Sequence, residues 1–188
     1  MLESNTNLTE DKSELIKLAI NVARQGGLEA LKYFRNNNYG LRSKSLAAFD
    51  PVTDADKNVE LVMRNVIKNN RPNDCILGEE YDEVLGSTGL KWVIDPIDGT
   101  KSFVSGSPSW AVLVALSYLD RPIFGVLNQP YLNEIFIGGL GLAKVFKGKS
   151  ENKLKVRPCS KLSNAFLHTT FPEIGTSREK VLFEKVNE

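Results

Sequence analysis

Two aspartates three residues apart, Asp95 and Asp98, flank Pro96 and Ile97, and Gly99 and Thr100 follow at once. Carboxylate and carbonyl oxygens in such a cluster suit a hard cation, magnesium above all. Gly99 and Thr100 at the start of a helix would offer backbone N–H groups to an anion. A cation site beside an anion site is what phosphate-monoester hydrolysis requires. That reaction is among the slowest uncatalysed ones in water, and metals speed it by clamping phosphoryl oxygens and acidifying a water. Two more acidic stretches come earlier: Asp50-Pro51-Val52-Thr53-Asp54-Ala55-Asp56 and Gly78-Glu79-Glu80. His168 is the sole histidine, so the Thr100 hydroxyl is the natural group to orient a nucleophile.

These residues need elements to hold them. Residues 92–95 read as a strand that ends where Pro96 has no N–H for the ladder. Asp98-Gly99 then forces a tight turn into a short helix from Thr100. Thr53 reads as an N-cap with Asp56 three residues on, close to a capping box. Val59, Val62, Met63, Val66 and Ile67 give the helix that follows its apolar stripe. Residues 75–77 form a short strand that delivers Glu79 at its end.

An earlier helix is marked by Leu15, Leu18, Ala19, Val22 and Ala23. Gly26-Gly27 reads as close helix packing, with Leu28, Leu31 and Phe34 resuming the stripe. After the central motif, strands are expected at 110–118, 122–129, 134–138 and 142–147. A charged hairpin loop at 147–153 and a strand at 154–157 follow. Successive strands joined by tight turns imply antiparallel pairing. The fold class is therefore α+β: a layered sandwich with two N-terminal helices on one face of a largely antiparallel sheet.

The chain of 188 residues is 41% hydrophobic, enough for one domain with a real core. Its net charge of +1 gives no electrostatic case for nucleic acid. Cys75 and Cys159 are isolated thiols, which argues against zinc and against a disulfide framework, and for a reducing cytoplasm. No apolar run reaches the length of a membrane span. The expected partners are a small phosphorylated metabolite and a second copy of the chain, with no nucleic acid and no membrane.

The three motifs, in this order, resemble the inositol-monophosphatase family of magnesium-dependent phosphatases. The resemblance implies that Asp95 bridges two magnesium ions. Glu79 and the Ile97 carbonyl would complete the first site, and Asp98 would hold the second. It implies catalytic roles for Asp56 and Thr100 at a water nucleophile, and substrate binding by Asp98, Gly99 and Thr100. On this likeness Glu79, Asp95 and Asp98 should converge on one crevice. Residues 1–158 correspond to a metal-binding N-terminal domain, and 159–188 to a linker and the start of a C-terminal one. In the family that second domain supplies a further aspartate to the second metal, and no residue here matches it.

Residues 99–108, Gly125-Val126-Leu127-Asn128-Gln129-Pro130 and 167–173 look closer to the histidinol-phosphate phosphatase branch, an enzyme of histidine biosynthesis. Inositol monophosphate and bisphosphonucleotides are the alternative substrates. The alternative of another class is a non-catalytic remnant that binds metal and phosphate.

Overall fold

The structure, a computed structural model, describes residues 7–36, 42–43, 51–52, 54–166, 181 and 185. The chain divides into two compact units, Met1–Leu154 and Lys155–Glu188. In the first, helices α1 (Asn7–Leu31) and α2 (Asp54–Asn70) precede most of the strands, with a two-stranded ribbon of β1 (Arg42–Ser43) and β2 (Pro51–Val52) between them. Seven strands then form one sheet: β3 (Cys75–Leu77), β4 (Leu90–Asp98), β5 (Ala111–Tyr118), β6 (Arg121–Gln129), β7 (Glu134–Gly139), β8 (Leu142–Lys147) and β9 (Ser150–Lys153). Spatial order follows chain order from β3 to β9. Only the β3–β4 pair is parallel among the described strands. The helix α3 (Thr100–Val104) leaves the end of β4.

The two long helices lie on each other and on β4, β5 and β6. α2 follows from its sequence: Val59, Met63 and Ile67 recur every fourth residue and are fully buried. Asp54 and Asp56 sit in its first turn and Lys68 in its last, matching the helix dipole. In the sheet, Trp92, Ile94, Val112, Val114, Leu116, Phe124 and Val126 fill the core beneath the helices. Val93, Leu113, Ala115, Leu127 and Phe136 stand partly open on the other strand positions, so the sheet's second face is apolar too. Buried Asp74 ties the loop before β4 in place, accepting from Trp92 Nε1 at 2.9 Å, Thr88 Oγ1 at 2.6 Å and Arg71 Nε at 2.8 Å. No helix of the described residues is long and apolar enough to cross a membrane.

Four local expectations change. Pro96 does not end its strand: β4 continues to Asp98, and the ladder accommodates the missing N–H by an irregularity rather than a stop. Leu28 and Leu31 do not resume the stripe of α1; they are 58% and 36% exposed, while Ala30 and Phe34 take the buried positions. Residues 147–153 are not a loop throughout, since Ser150–Lys153 pairs with β8 as β9. Residues 154–157 have no regular structure. The Thr53 cap lies outside the described residues, as do 167–170 of the stretch 165–170, whose sequence reads as a strand. The stretch 177–187 reads in sequence as a helix, and of it Val181 and Lys185 are described and helical.

The glycine pair in α1 is a packing device. A Cβ on Gly26 would stand 2.9 Å from the Met63 side chain of α2. A Cβ on Gly27 would stand 2.4 Å from Asn128 Nδ2, which donates to the Ala23 carbonyl at 2.8 Å. Alanine is the better helix former by about 1 kcal/mol, but overpacking costs about 1–3 kcal/mol, and here it also dislodges a buried hydrogen bond. Gly27→Ala is therefore expected to lower the urea midpoint, and Gly26→Ala to lower it less because the Met63 thioether can move aside. A Gly27→Ala midpoint equal to or above the parent's would show that Asn128 yields at no cost.

Candidate functional site

The site is built where β4 loses its regularity. In a strand, residues three apart point to opposite faces, so Asp95 and Asp98 should diverge. Asp95 pairs with Leu113 and Asp98 with Ala111, three steps on β4 against two on β5. The extra residue is a β-bulge, and it returns Asp98 to the side of Asp95. The burial pattern records the switch: Trp92 and Ile94 are buried with Val93 exposed, whereas beyond the bulge Ile97 is buried and Asp98 exposed. The Ile97 N–H donates to Asp95 Oδ1 at 3.2 Å. Gly99 follows with φ 89°, a left-handed turn open to glycine at little cost, and α3 starts at Thr100. A Cβ there would also stand 2.8 Å from the Ser109 carbonyl.

Thr100 Oγ1 donates to the Ile97 carbonyl at 3.1 Å and lies 3.5 Å from Asp56 Oδ1. Asp56 reaches it from the first turn of α2 and is buried. Beneath α3, Phe103 and Trp110 meet edge to face with ring centres 4.9 Å apart, and Phe34 packs on both. Arg35 donates to the Gly106 carbonyl at 3.1 Å and stacks over Tyr131. These contacts anchor the turn that presents Gly99 and Thr100.

Glu79 comes from the segment just after β3, the strand parallel to β4, so both strands deliver carboxylates at the same end. The electrostatics of Asp95 register the gathering. Its carboxyl is raised from 3.8 to about 7, first by burial, then by the charges of Glu79 and Asp98; the Ile97 N–H pulls the other way and Asp56 adds a smaller upward push. Glu79, Asp98 and Asp56 are thus the acidic neighbours that Asp95 senses. Glu79 and Asp98 are exposed, while Asp56 is closed in.

A cation fits this donor set, because a carboxylate destabilised by three others is relieved by positive charge. Among the described residues no three His, Cys, Asp or Glu side chains are arranged to hold a metal ion by themselves. The expected ligand sets require only two carboxylates each from this chain, Glu79 with Asp95 and Asp95 with Asp98. The Ile97 carbonyl and water would supply further oxygens, and magnesium ordinarily keeps several waters.

Sequence reasoning missed Glu60 and Arg64, both buried in α2 and bonded to the Glu79 segment. Their signal was two charges four apart on the buried stripe of an amphipathic helix, which periodicity alone assigns to the solvent edge.

Asp95 gives a pH signature in metal-free protein. Its folded value lies above the unfolded one, so the fold holds the proton more tightly than the unfolded chain does. The stabilising contribution is whole below about pH 4 and is lost as pH rises through about 7. Asp95→Asn cannot titrate. In chelator, its melting temperature should gain on the parent's between those two pH values and run parallel outside them. A difference independent of pH would show that Asp95 is not raised.

A model of the inositol monophosphatase family matches residues 11–185. The chain is 32% identical over 99% of its length to the Arabidopsis thaliana bifunctional phosphatase IMPL2, chloroplastic, and covers 53% of that protein. It is 37% identical to a histidinol-phosphatase of Chlorobaculum parvum, over 71% of this chain and 51% of that one. The solved structure of an inositol monophosphatase from Zymomonas mobilis superposes with a TM-score of 0.75 at 31% identity, over 93% of this chain and 65% of that chain. At 53% and 51%, the chain spans about half the length of these two curated relatives. The α+β sandwich read from the sequence is the fold of that solved structure, and the chain belongs to the inositol monophosphatase family.

Proposed function

We propose that the chain carries the magnesium-binding half-site of a phosphate-monoester hydrolase whose substrate is histidinol phosphate. The observation that carries the reading is the carboxylate cluster around Asp95, whose carboxyl is raised to about 7 by burial first and then by its acidic neighbours. Family membership supports a phosphatase. The histidinol-phosphatase relative at 37% identity supports the substrate, together with the stretches 99–108 and 125–130. Free thiols at Cys75 and Cys159 suit a cytoplasmic setting.

In this reading Asp95, Glu79 and the Ile97 carbonyl hold one ion, and Asp95 and Asp98 hold another. Magnesium, when bound there, supplies positive charge to the phosphoryl oxygens and acidifies water. The chain's own residues do the rest. Thr100 Oγ1 and Asp56 Oδ1, 3.5 Å apart, present a hydroxyl and a buried carboxylate to the same water. The hydroxyl fixes its orientation and the carboxylate takes its proton. The backbone N–H groups of Gly99 and Thr100 meet the phosphate. Orientation dominates phosphoryl transfer, which is the use of a turn anchored as firmly as this one.

Calorimetry should show that Asp95→Asn weakens magnesium binding more than Asp56→Asn, because Asp95 touches the ion and Asp56 acts through water. The reverse order would overturn the two roles. Phosphate release should be faster from histidinol phosphate than from inositol monophosphate or a bisphosphonucleotide, should stop in chelator, and should fall roughly 10²-fold or more in Asp56→Asn. Preference for another of the three would replace the substrate. Magnesium binding without release from any would leave a metal- and phosphate-binding module.

A further inference from the structure

Glu60 is fully buried and Arg64 is 4% exposed. Taking a carboxylate out of water is costly unless its lone pairs are all used. Here they are used on one short piece of chain. Oε2 accepts from the backbone N–H of Glu79 at 2.9 Å and of Glu80 at 2.7 Å. Oε1 accepts from the Tyr81 N–H at 3.3 Å and from Arg64 Nε at 2.8 Å. Arg64 then reaches past Glu60 and donates through its second nitrogen to the Tyr81 carbonyl at 2.8 Å.

Three consecutive amides converge on a single carboxylate, so the segment folds around an anion that the protein itself supplies. The approach is close enough to require glycine beforehand: a Cβ on Gly78 would stand 2.0 Å from Glu60 Oε1. The segment lies outside the regular strands, since β3 ends at Leu77 and the next bridge joins Ile76 to Val84. A buried ion pair adds little net stability over apolar residues of the same volume. What this one supplies is a fixed backbone at the root of an exposed carboxylate.

We propose that Glu60, braced by Arg64, is a positioning residue that fixes the backbone of residues 79–81 and thereby sets where the Glu79 carboxylate meets magnesium. This rests on the reading of Glu79 as a magnesium ligand. Glu60→Gln keeps the shape of the side chain but turns an amide donor toward groups that are themselves donors.

The test uses the full chain, with magnesium titrated by calorimetry and amide exchange followed by NMR without metal. Glu60→Gln should weaken magnesium binding about tenfold or more, the usual effect of losing a group that orients a metal ligand. The amides of Glu79 and Glu80 should exchange faster while those of the central strands do not. In a Glu79→Gln background, adding Glu60→Gln should cost no further affinity.

Parent-like affinity in Glu60→Gln, or an equal loss in both backgrounds, would overturn the positioning role and leave Glu60 structural. Arg64→Lys keeps the charge but cannot span Glu60 and Tyr81 together. It should weaken binding severalfold, and if Glu60→Gln fails to fold, parent-like affinity in Arg64→Lys overturns the proposal. Glu79→Gln binding magnesium as the parent does would overturn the ligand assignment itself, a result distinguishable from the others because it leaves the amide exchange effect intact.

Discussion

Pro96 has no N–H to give, and it sits in β4 beyond the residues paired with β3, where β5 is the strand alongside. A ladder cannot run evenly through that residue. The chain answers with one extra residue against β5, and the site follows from that answer. The bulge brings Asp98 round to the side of Asp95. It turns the Ile97 N–H toward a carboxylate and leaves the Ile97 carbonyl to accept from Thr100. The left-handed Gly99 and the helix behind it continue the same departure from regular pairing.

The arrangement sets charge against stability. Four carboxylates from β4, the segment after β3 and the first turn of α2 are held near one another, and Asp95 carries the strain as an upward-shifted pKa. The scaffold tolerates this because the load falls on well-braced elements. β4 lies between two strands and beneath α2. Asp56 is locked into a helix whose opposite end is charged to suit its dipole. Sites that hold like charges together are stabilised by the ligand they await, and proteins accept some loss of stability for such function.

Much of this was legible in the residues. Asp95, Asp98, Gly99 and Thr100 announce a strand end, a turn and a helix start, and the spacing of Val59, Met63 and Ile67 announces α2. The α+β layering followed from helices first and short strands after. What periodicity could not deliver is whatever depends on a partner far away in sequence. Proline reads locally as a strand stop, and only the pairing with β5 reveals a bulge. Leu28 and Leu31 continue a helical stripe on paper, yet they line an open cleft with Ile135 and Phe146 instead of entering the core. Glu60 and Arg64 look like a solvated i, i+4 pair, because nothing nearby in sequence says that residues 79–81 will come to meet them. β9 was hidden by its composition, Ser150-Glu151-Asn152-Lys153, which is polar because the strand is an exposed sheet edge.

The order of the strands has a kinetic consequence. From β4 to β9 each strand lies beside its neighbour in sequence, a meander joined by short turns except at 99–110, where α3 intervenes, and topologies rich in local contacts form quickly. α1, by contrast, must meet β5 and β6 across some hundred residues, as the Asn128–Ala23 bond at a separation of 105 illustrates. Asp95 and Asp98 therefore belong to the part of the molecule that can assemble first, whereas Asp56 arrives with a docking helix and the Glu79 segment is held by a residue of that helix. In the native state the same asymmetry reappears as local opening. Undocking of α2 would dismantle half of the carboxylate cluster while leaving the meander paired, so the completeness of the site at any moment reports on whether the helical layer is seated.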